Sequence, residues 1–255
     1  MIGLFDSGLG GLTVLRRVRE RLPRADVVFF ADQAHVPYGD RTHDDLLRLL
    51  RANLAWLDAC GVGVIAMACN TSCAIAERYG WPPTAATVLD LIDAAAIAVE
   101  RGGYKRVGVV ATAATVGAGS YGRRLRARIP GIDVVELPAP ALVPLVEAGK
   151  LEGDEPRDAV AHLCAGLPLD LDAVVYGCTH YPALAPLFEA ELGPDVALVD
   201  PAVVQAERVA ELVSERNGSA STRYATSGEP AILRAGIARL TAVPDAHVER
   251  IAIPL

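Results

Sequence analysis

The 255-residue sequence predicts an α/β protein with mainly parallel sheets. Short apolar, β-branched runs alternate with amphipathic stretches of helical period along the whole chain, the pattern of parallel strands joined by helical crossovers. Several runs stop at a small or polar residue able to cap a following helix. One such junction occurs twice: residues 62–68 run into Cys69-Asn70-Thr71, and residues 173–176 run into Gly177-Cys178-Thr179-His180-Tyr181-Pro182.

Taken in order, residues 2–5 read as a strand, followed by Asp6-Ser7-Gly8-Leu9-Gly10-Gly11 and an amphipathic helix through Arg21. The glycine loop is no dinucleotide fingerprint, because its third glycine would fall at Thr13, and it lacks the lysine of a Walker loop. Its glycines let the backbone approach a small ligand and leave Asp6 and Ser7 at the strand end. Residues 27–31 form a second strand. The loop beyond it holds Asp32, His35 and Pro37-Tyr38-Gly39, a turn whose amides are expected to face the same crevice. His35 and His43 read as solvated. A helix capped by Thr42 extends to about Cys60, the strand before Cys69 follows, and a short helix closes at Gly80-Trp81-Pro82-Pro83.

A helix over residues 89–101 ends at a break, Gly102-Gly103. Residues 107–110 form a strand with Thr112 and Thr115 beyond it as further hydroxyls. A helix through Ile129, a strand over 134–137 and a helical stretch holding Glu147 come next. A polar loop, Glu152-Gly153-Asp154-Glu155-Pro156, precedes a helix whose His162 reads as structural. After the Cys178 junction come a strand ending at Asp200, a helix to about Arg216 and a polar loop, Asn217-Gly218-Ser219-Ala220-Ser221. Strand, helix and strand over 223–226, 231–240 and 247–253 close the chain.

Composition narrows the function. Lys and Arg number 24 against 31 Asp and Glu, a net charge of −7 without the basic stripe of a phosphate-backbone binder, so nucleic acid is not an expected partner. The N-terminus is already a strand rather than a secretory signal, and no apolar run reaches membrane-spanning length. The expected location is cytoplasmic, with no membrane partner. Cys60, Cys69, Cys73, Cys164 and Cys178 form an odd set without paired zinc motifs, which suits free thiols in a reducing compartment. Cys60, Cys73 and Cys164 are expected to be buried. Cys69 and Cys73 can share a helix face, yet no His pair matches them, so no metal site is expected. Lys105 and Lys150 are the only lysines and neither lies near a motif, so no cofactor is expected either.

At the two thiol junctions, free N–H groups at a helix start can receive a carboxylate, and their dipole is expected to lower the pKa of the adjacent thiol. The plain alternative is two buried structural cysteines. Repetition with polar neighbours weighs against it. A Cys-His nucleophile would leave one thiol unused, and no CxxC redox pair is present. Two-base proton transfer uses both: one thiolate removes a Cα proton while the opposite thiol protonates the other face. Asp6 can assist Cys69, and His180 can assist Cys178.

Asp6-Ser7-Gly8-x-Gly10-Gly11, Pro37-Tyr38-Gly39, Ala68-Cys69-Asn70-Thr71, Val146-Glu147-x-Gly149 and Gly177-Cys178-Thr179-His180-Tyr181-Pro182 together resemble glutamate racemase, of the cofactor-independent aspartate/glutamate racemase superfamily. The resemblance implies two pseudo-symmetric α/β domains, residues 1–97 with 210–255 and residues 98–209, with the active site between them. It implies interconversion of L- and D-glutamate, the latter for peptidoglycan, and leaves room for a homodimer. Carried over by position, Cys69 would be the base for the D-enantiomer and Cys178 for the L-enantiomer. Asp6, His180 and Glu147 would assist. Ser7, Pro37, Tyr38, Gly39, Asn70, Thr71, Thr115 and Thr179, with Asp6 and His180, would surround the substrate. Two stretches depart from the usual pattern: residues 31–36, and Gly117-Ala118-Gly119-Ser120-Tyr121. An aspartate or hydantoin racemase, a maleate isomerase and a non-catalytic amino-acid-binding protein remain as alternatives.

Overall fold

The computed structural model describes residues 1–213, 218–241 and 243–253. From the N-terminus, β1 (Ile2–Asp6), α1 (Gly11–Arg21), β2 (Val27–Ala31), α2 (His43–Ala59), β3 (Val64–Met67), α3 (Asn70–Tyr79) and β4 (Thr87–Leu89) form a first unit. The chain leaves it through α4 (Leu91–Gly102). A second unit follows: β5 (Arg106–Ala111), α5 (Ala113–Ala118), α6 (Ser120–Arg128), β6 (Asp133–Pro138), α7 (Leu142–Glu147), α8 (Asp154–Cys164), β7 (Ala173–Gly177), α9 (Ala185–Leu192) and β8 (Ala197–Val199). The chain returns through α10 (Pro201–Leu212) to add β9 (Thr222–Thr226), α11 (Pro230–Thr241) and β10 (Val248–Arg250) to the first sheet.

The sheet orders are β10-β9-β2-β1-β3-β4 and β6-β5-β7-β8, with parallel pairing throughout the described strands. Each unit therefore repeats one order, in which the first strand lies between the second and third and the fourth lies outside the third. Such an order reverses direction at the first strand, and the crevice beyond the strand ends at that point is where open α/β sheets take ligands. The thiols occupy equivalent places, since Cys69 follows β3 and Cys178 follows β7.

The strands at the crevice are buried on both faces, which accounts for their unbroken apolar composition. β1, β2 and β7 contain only buried residues. Phe5 is level with Phe30 and Met67 in the register. One apolar core runs from Phe5 and Ile65 through Cys73 and Tyr121 to Val109 and Val175, so the units share a packed seam. Each of these large side chains contributes roughly 1.5 to 3 kcal/mol through burial.

Some elements differ from the sequence expectation. The helix expected from residue 89 starts at Leu91, because Asp90 caps it with a bond from the Ile92 N–H, and residues 87–89 add the edge strand β4. The helix expected to run unbroken to Ile129 is split at Gly119, whose φ of 64° is left-handed. The helix expected directly after Cys178 is preceded by a 3-10 turn, Tyr181–Leu184. Cys73 is buried, whereas Cys60 and Cys164 are only half-buried. α10 is continuous across residues 209 and 210 and packs on α1 and α4. The expected ends at Arg216 and Asn217 lie outside the described residues.

Candidate active site

Cys69 is the N-cap of α3, in extended conformation, and its Sγ accepts the Ser72 N–H at 3.5 Å. On its other side it donates to Ser7 Oγ at 3.6 Å, and Ser7 donates in turn to Asp6 Oδ1 at 3.2 Å. The adjacency follows from register: β1 and β3 pair directly, so their ends deliver Asp6, Ser7 and Cys69 together. Burial, then the negative charge of Asp6, push the Cys69 thiol up to about 11, against the lowering by hydrogen bonds from Ser72 and Ser7. The expected lowering by the helix start is thus outweighed. Asp6 is itself raised by burial, with the His180 charge and the bonds from Thr179, Gly8 and Ser7 opposing.

Cys178 has a different partner. Its Sγ lies 3.6 Å from His180 Nδ1, and His180 Nε2 lies 2.6 Å from Glu147 Oε1. Burial disfavours an imidazolium here, but the hydrogen bonds and negative charges of Cys178 and Glu147 outweigh it and raise the His180 pKa well above the ordinary range. Glu147 is raised by burial yet ends below its ordinary value, because His180, the Leu9 N–H and the Arg239 charge all favour the carboxylate.

Hydrogen bonds join the two arrangements. Thr179 Oγ1 donates to Asp6 Oδ2 at 2.8 Å, instead of capping a helix. Thr13 Oγ1 lies 2.8 Å from the Gly10 carbonyl and 3.2 Å from the Thr179 carbonyl, its one proton shared between them, and the Leu9 N–H donates to Glu147 Oε1 at 3.2 Å. Gly10 is where this closeness requires a glycine: a Cβ there would fall 2.3 Å from Thr179 Oγ1 and 2.6 Å from His180 Nδ1.

Around the thiols lie the remaining candidates. Asn70 is 3% exposed; its Oδ1 accepts the Tyr121 hydroxyl at 2.5 Å, while its buried Nδ2 has no partner among the described residues. Thr71, Thr112 and Thr115 form a hydroxyl triangle across the seam, with sides of 3.1, 3.4 and 2.9 Å. Pro37 follows a cis peptide bond, and the turn Tyr38–Asp40 brings Gly39 against Thr112. The Tyr38 phenol is turned inward, donating to Asp32 at 2.5 Å and accepting from Asn53 at 3.1 Å. His35, expected to be solvated, is 24% exposed and lies 2.8 Å from Asp32. Sequence reasoning did not connect Thr13, Asp32 and Tyr121 to this region. Asp32 had a usable signal, as the polar residue directly after β2, whereas the bonds of Thr13 and Tyr121 are long-range.

Fold and site together define a two-unit α/β protein with a thiol at an equivalent strand end of each unit, the polar neighbours of the two joined by the Thr179–Asp6 bond. A sequence profile of the Asp/Glu/Hydantoin racemase family matches residues 11–209. The chain belongs to this family. It is 45% identical over 234 residues to the glutamate racemase of Gloeobacter violaceus, covering 90% of this chain and 88% of that one. The solved glutamate racemase of Thermus thermophilus, in complex with beta-chloro-D-alanine, is similar with a TM-score of 0.84 at 34% identity, covering 98% of this chain and 96% of that one. That of Francisella tularensis, in complex with D-glutamate, gives 0.88 at 27% identity, covering 98% and 97%.

Proposed function

We propose that the protein is a cofactor-independent glutamate racemase, acting in the cytoplasm to supply D-glutamate for peptidoglycan. The observation that carries this reading is the pair of strand-end thiols with separate relays, Cys69–Ser7–Asp6 and Cys178–His180–Glu147. Substrate would lie between the lobes formed by residues 1–97 with 210–255 and residues 98–209.

In the L-to-D direction, Cys178 as thiolate removes the Cα proton and Cys69, held neutral by burial and Asp6, protonates the opposite face. In the reverse direction Cys69 passes its proton through Ser7 to Asp6, whose raised pKa suits it to accept, and then takes the Cα proton. Cys178, first protonated by the His180 imidazolium, delivers that proton to the other face and returns to the thiolate. The His180 imidazolium, anchored by Glu147, balances negative charge on that side.

The chain's negative charge opposes an anionic substrate at long range, so local donors hold it. Ser7, Asn70, Thr71, Thr115 and Thr179, with backbone amides of Tyr38 and Gly39 after Pro37, offer enough sites for two carboxylates and an ammonium group. A neutral amino acid would leave donors unpaired at about 1 to 3 kcal/mol each.

The test is incubation with L-glutamate, L-aspartate, neutral amino acids and maleate in deuterated water, scoring deuterium at Cα and the enantiomer formed. Glutamate should turn over fastest. Aspartate favoured by about tenfold, a free-energy difference of about 1.4 kcal/mol, would move the protein to the sister activity. No exchange with any of them would leave a binding protein.

A further inference from the structure

Tyr121 is fully buried on α6, in the second unit, and its hydroxyl crosses the seam to Asn70 at the first position of α3. Burial raises the phenol's pKa well above its ordinary value, so the hydroxyl keeps its proton and acts as a donor. An amide whose oxygen is taken from behind has only its NH2 group left to offer. That group, Nδ2, is buried and unpartnered, between Cys69 and Thr71 in sequence. A buried donor without an acceptor is unfavourable, and a ligand oxygen relieves it. The neighbouring contacts hold Tyr121 independently of its hydroxyl: Ser120 Oγ, with one proton to donate, lies 2.9 Å from the Ala74 carbonyl and 2.8 Å from Glu77 Oε2, and Arg78 donates to the Ala118 carbonyl at 3.2 Å.

We propose that Tyr121 is a positioning residue for the racemase reaction: by occupying Asn70 Oδ1 from the opposite unit, it fixes the amide so that Nδ2 is presented to a carboxylate oxygen of the substrate. Tyr121 touches no reacting atom. It also makes this substrate donor depend on docking of the two units, since the amide is oriented from one and carried by the other. The inference rests on the glutamate racemase reading.

The experiment compares wild type, Tyr121→Phe, Asn70→Ala and the double variant in both directions. Loss of one hydrogen bond's worth of orientation should raise KM for both enantiomers of glutamate about tenfold in Tyr121→Phe, with kcat within about threefold. In the Asn70→Ala background, Tyr121→Phe should change KM by less than about twofold, because nothing remains to orient. A purely structural tyrosine would weaken both backgrounds alike. Unchanged KM in Tyr121→Phe, or an equal rise in the Asn70→Ala background, would overturn the proposal. If Tyr121→Phe does not fold, the wild-type Asn70 side-chain amide resonances decide: addition of D-glutamate should shift them, and their standing still would overturn it. Wild type that does not racemise glutamate removes both readings, whereas active wild type with a kinetically silent Tyr121→Phe removes only this one.

Discussion

Cys69 and Cys178 stand at the same point of two units with the same strand order, yet their surroundings differ in sign. Cys69 caps a true α-helix but faces the Asp6 carboxylate through Ser7, and its thiol is pushed up to about 11. Cys178 precedes only a 3-10 turn but faces a histidine whose pKa is raised, against burial, by Cys178 itself and by Glu147. A helix start is therefore a weaker influence on a thiol than burial and the nearest full charge. In the proposed mechanism this pseudo-symmetry gives each face of a planar intermediate its own acid/base group. In the same proposal the unlike neighbours, Asp6 and His180, give one side a proton acceptor and the other a positive charge.

Removing either thiol breaks the comparison most severely. Cys69→Ser and Cys178→Ser should each lower racemisation by about 10³-fold or more in both directions, because serine is too weak an acid to serve at neutral pH. Near wild-type rates in either variant, followed by circular dichroism, would end the two-base account. Asp6→Asn acts first on the Cys69 side, although Asp6 also accepts the Thr179 hydroxyl from the other unit. It removes the second largest cause of the raised Cys69 pKa, so the thiolate absorbance titration near 240 nm should move down from about 11. D-glutamate deprotonation should slow about 10- to 100-fold, because the proton acceptor is lost. An unmoved titration would show that Asp6 does not act on this thiol.

Glu147→Gln should have the smallest effect, on stability. The folded His180 pKa is raised, so its contribution is complete below its ordinary 6.5 and lost as pH rises through the folded value. The folded Glu147 pKa is lowered, so its contribution is present above its ordinary 4.5 and lost as pH falls through the folded value. Both are complete between these limits. The variant's deficit of about 1 to 2 kcal/mol should be greatest there, read as a Tm lower by a few degrees. A deficit independent of pH would assign it to packing.

The strands and the thiol junctions were legible because their signals are local: β-branched runs ending in Cys with polar residues behind them. β4 was not legible, since three residues carry too little periodicity, nor was the helix break at Gly119. The bonds that make the site one object were invisible for another reason. Thr179 reaches Asp6 across 173 residues and Glu147 reaches Leu9 across 138, so only the folded register brings them together. The raised Cys69 pKa is likewise tertiary, a product of enclosure that no motif encodes. The residues expected to bind substrate came from resemblance as much as from pattern, and the inward phenol of Tyr38 gives its side chain a different task from its backbone.

The most direct measurement uses a glutamate analogue with a β-leaving group, which needs one base for elimination and no second protonation at Cα. Cys69→Ser and Cys178→Ser would each be given the L- and D-enantiomers separately, with release of the leaving group followed in time. The expected result is complementary: Cys69→Ser, keeping Cys178, eliminates from the L-enantiomer, and Cys178→Ser, keeping Cys69, eliminates from the D-enantiomer. Elimination from the same enantiomer by both variants would contradict opposite-face action of the two thiols.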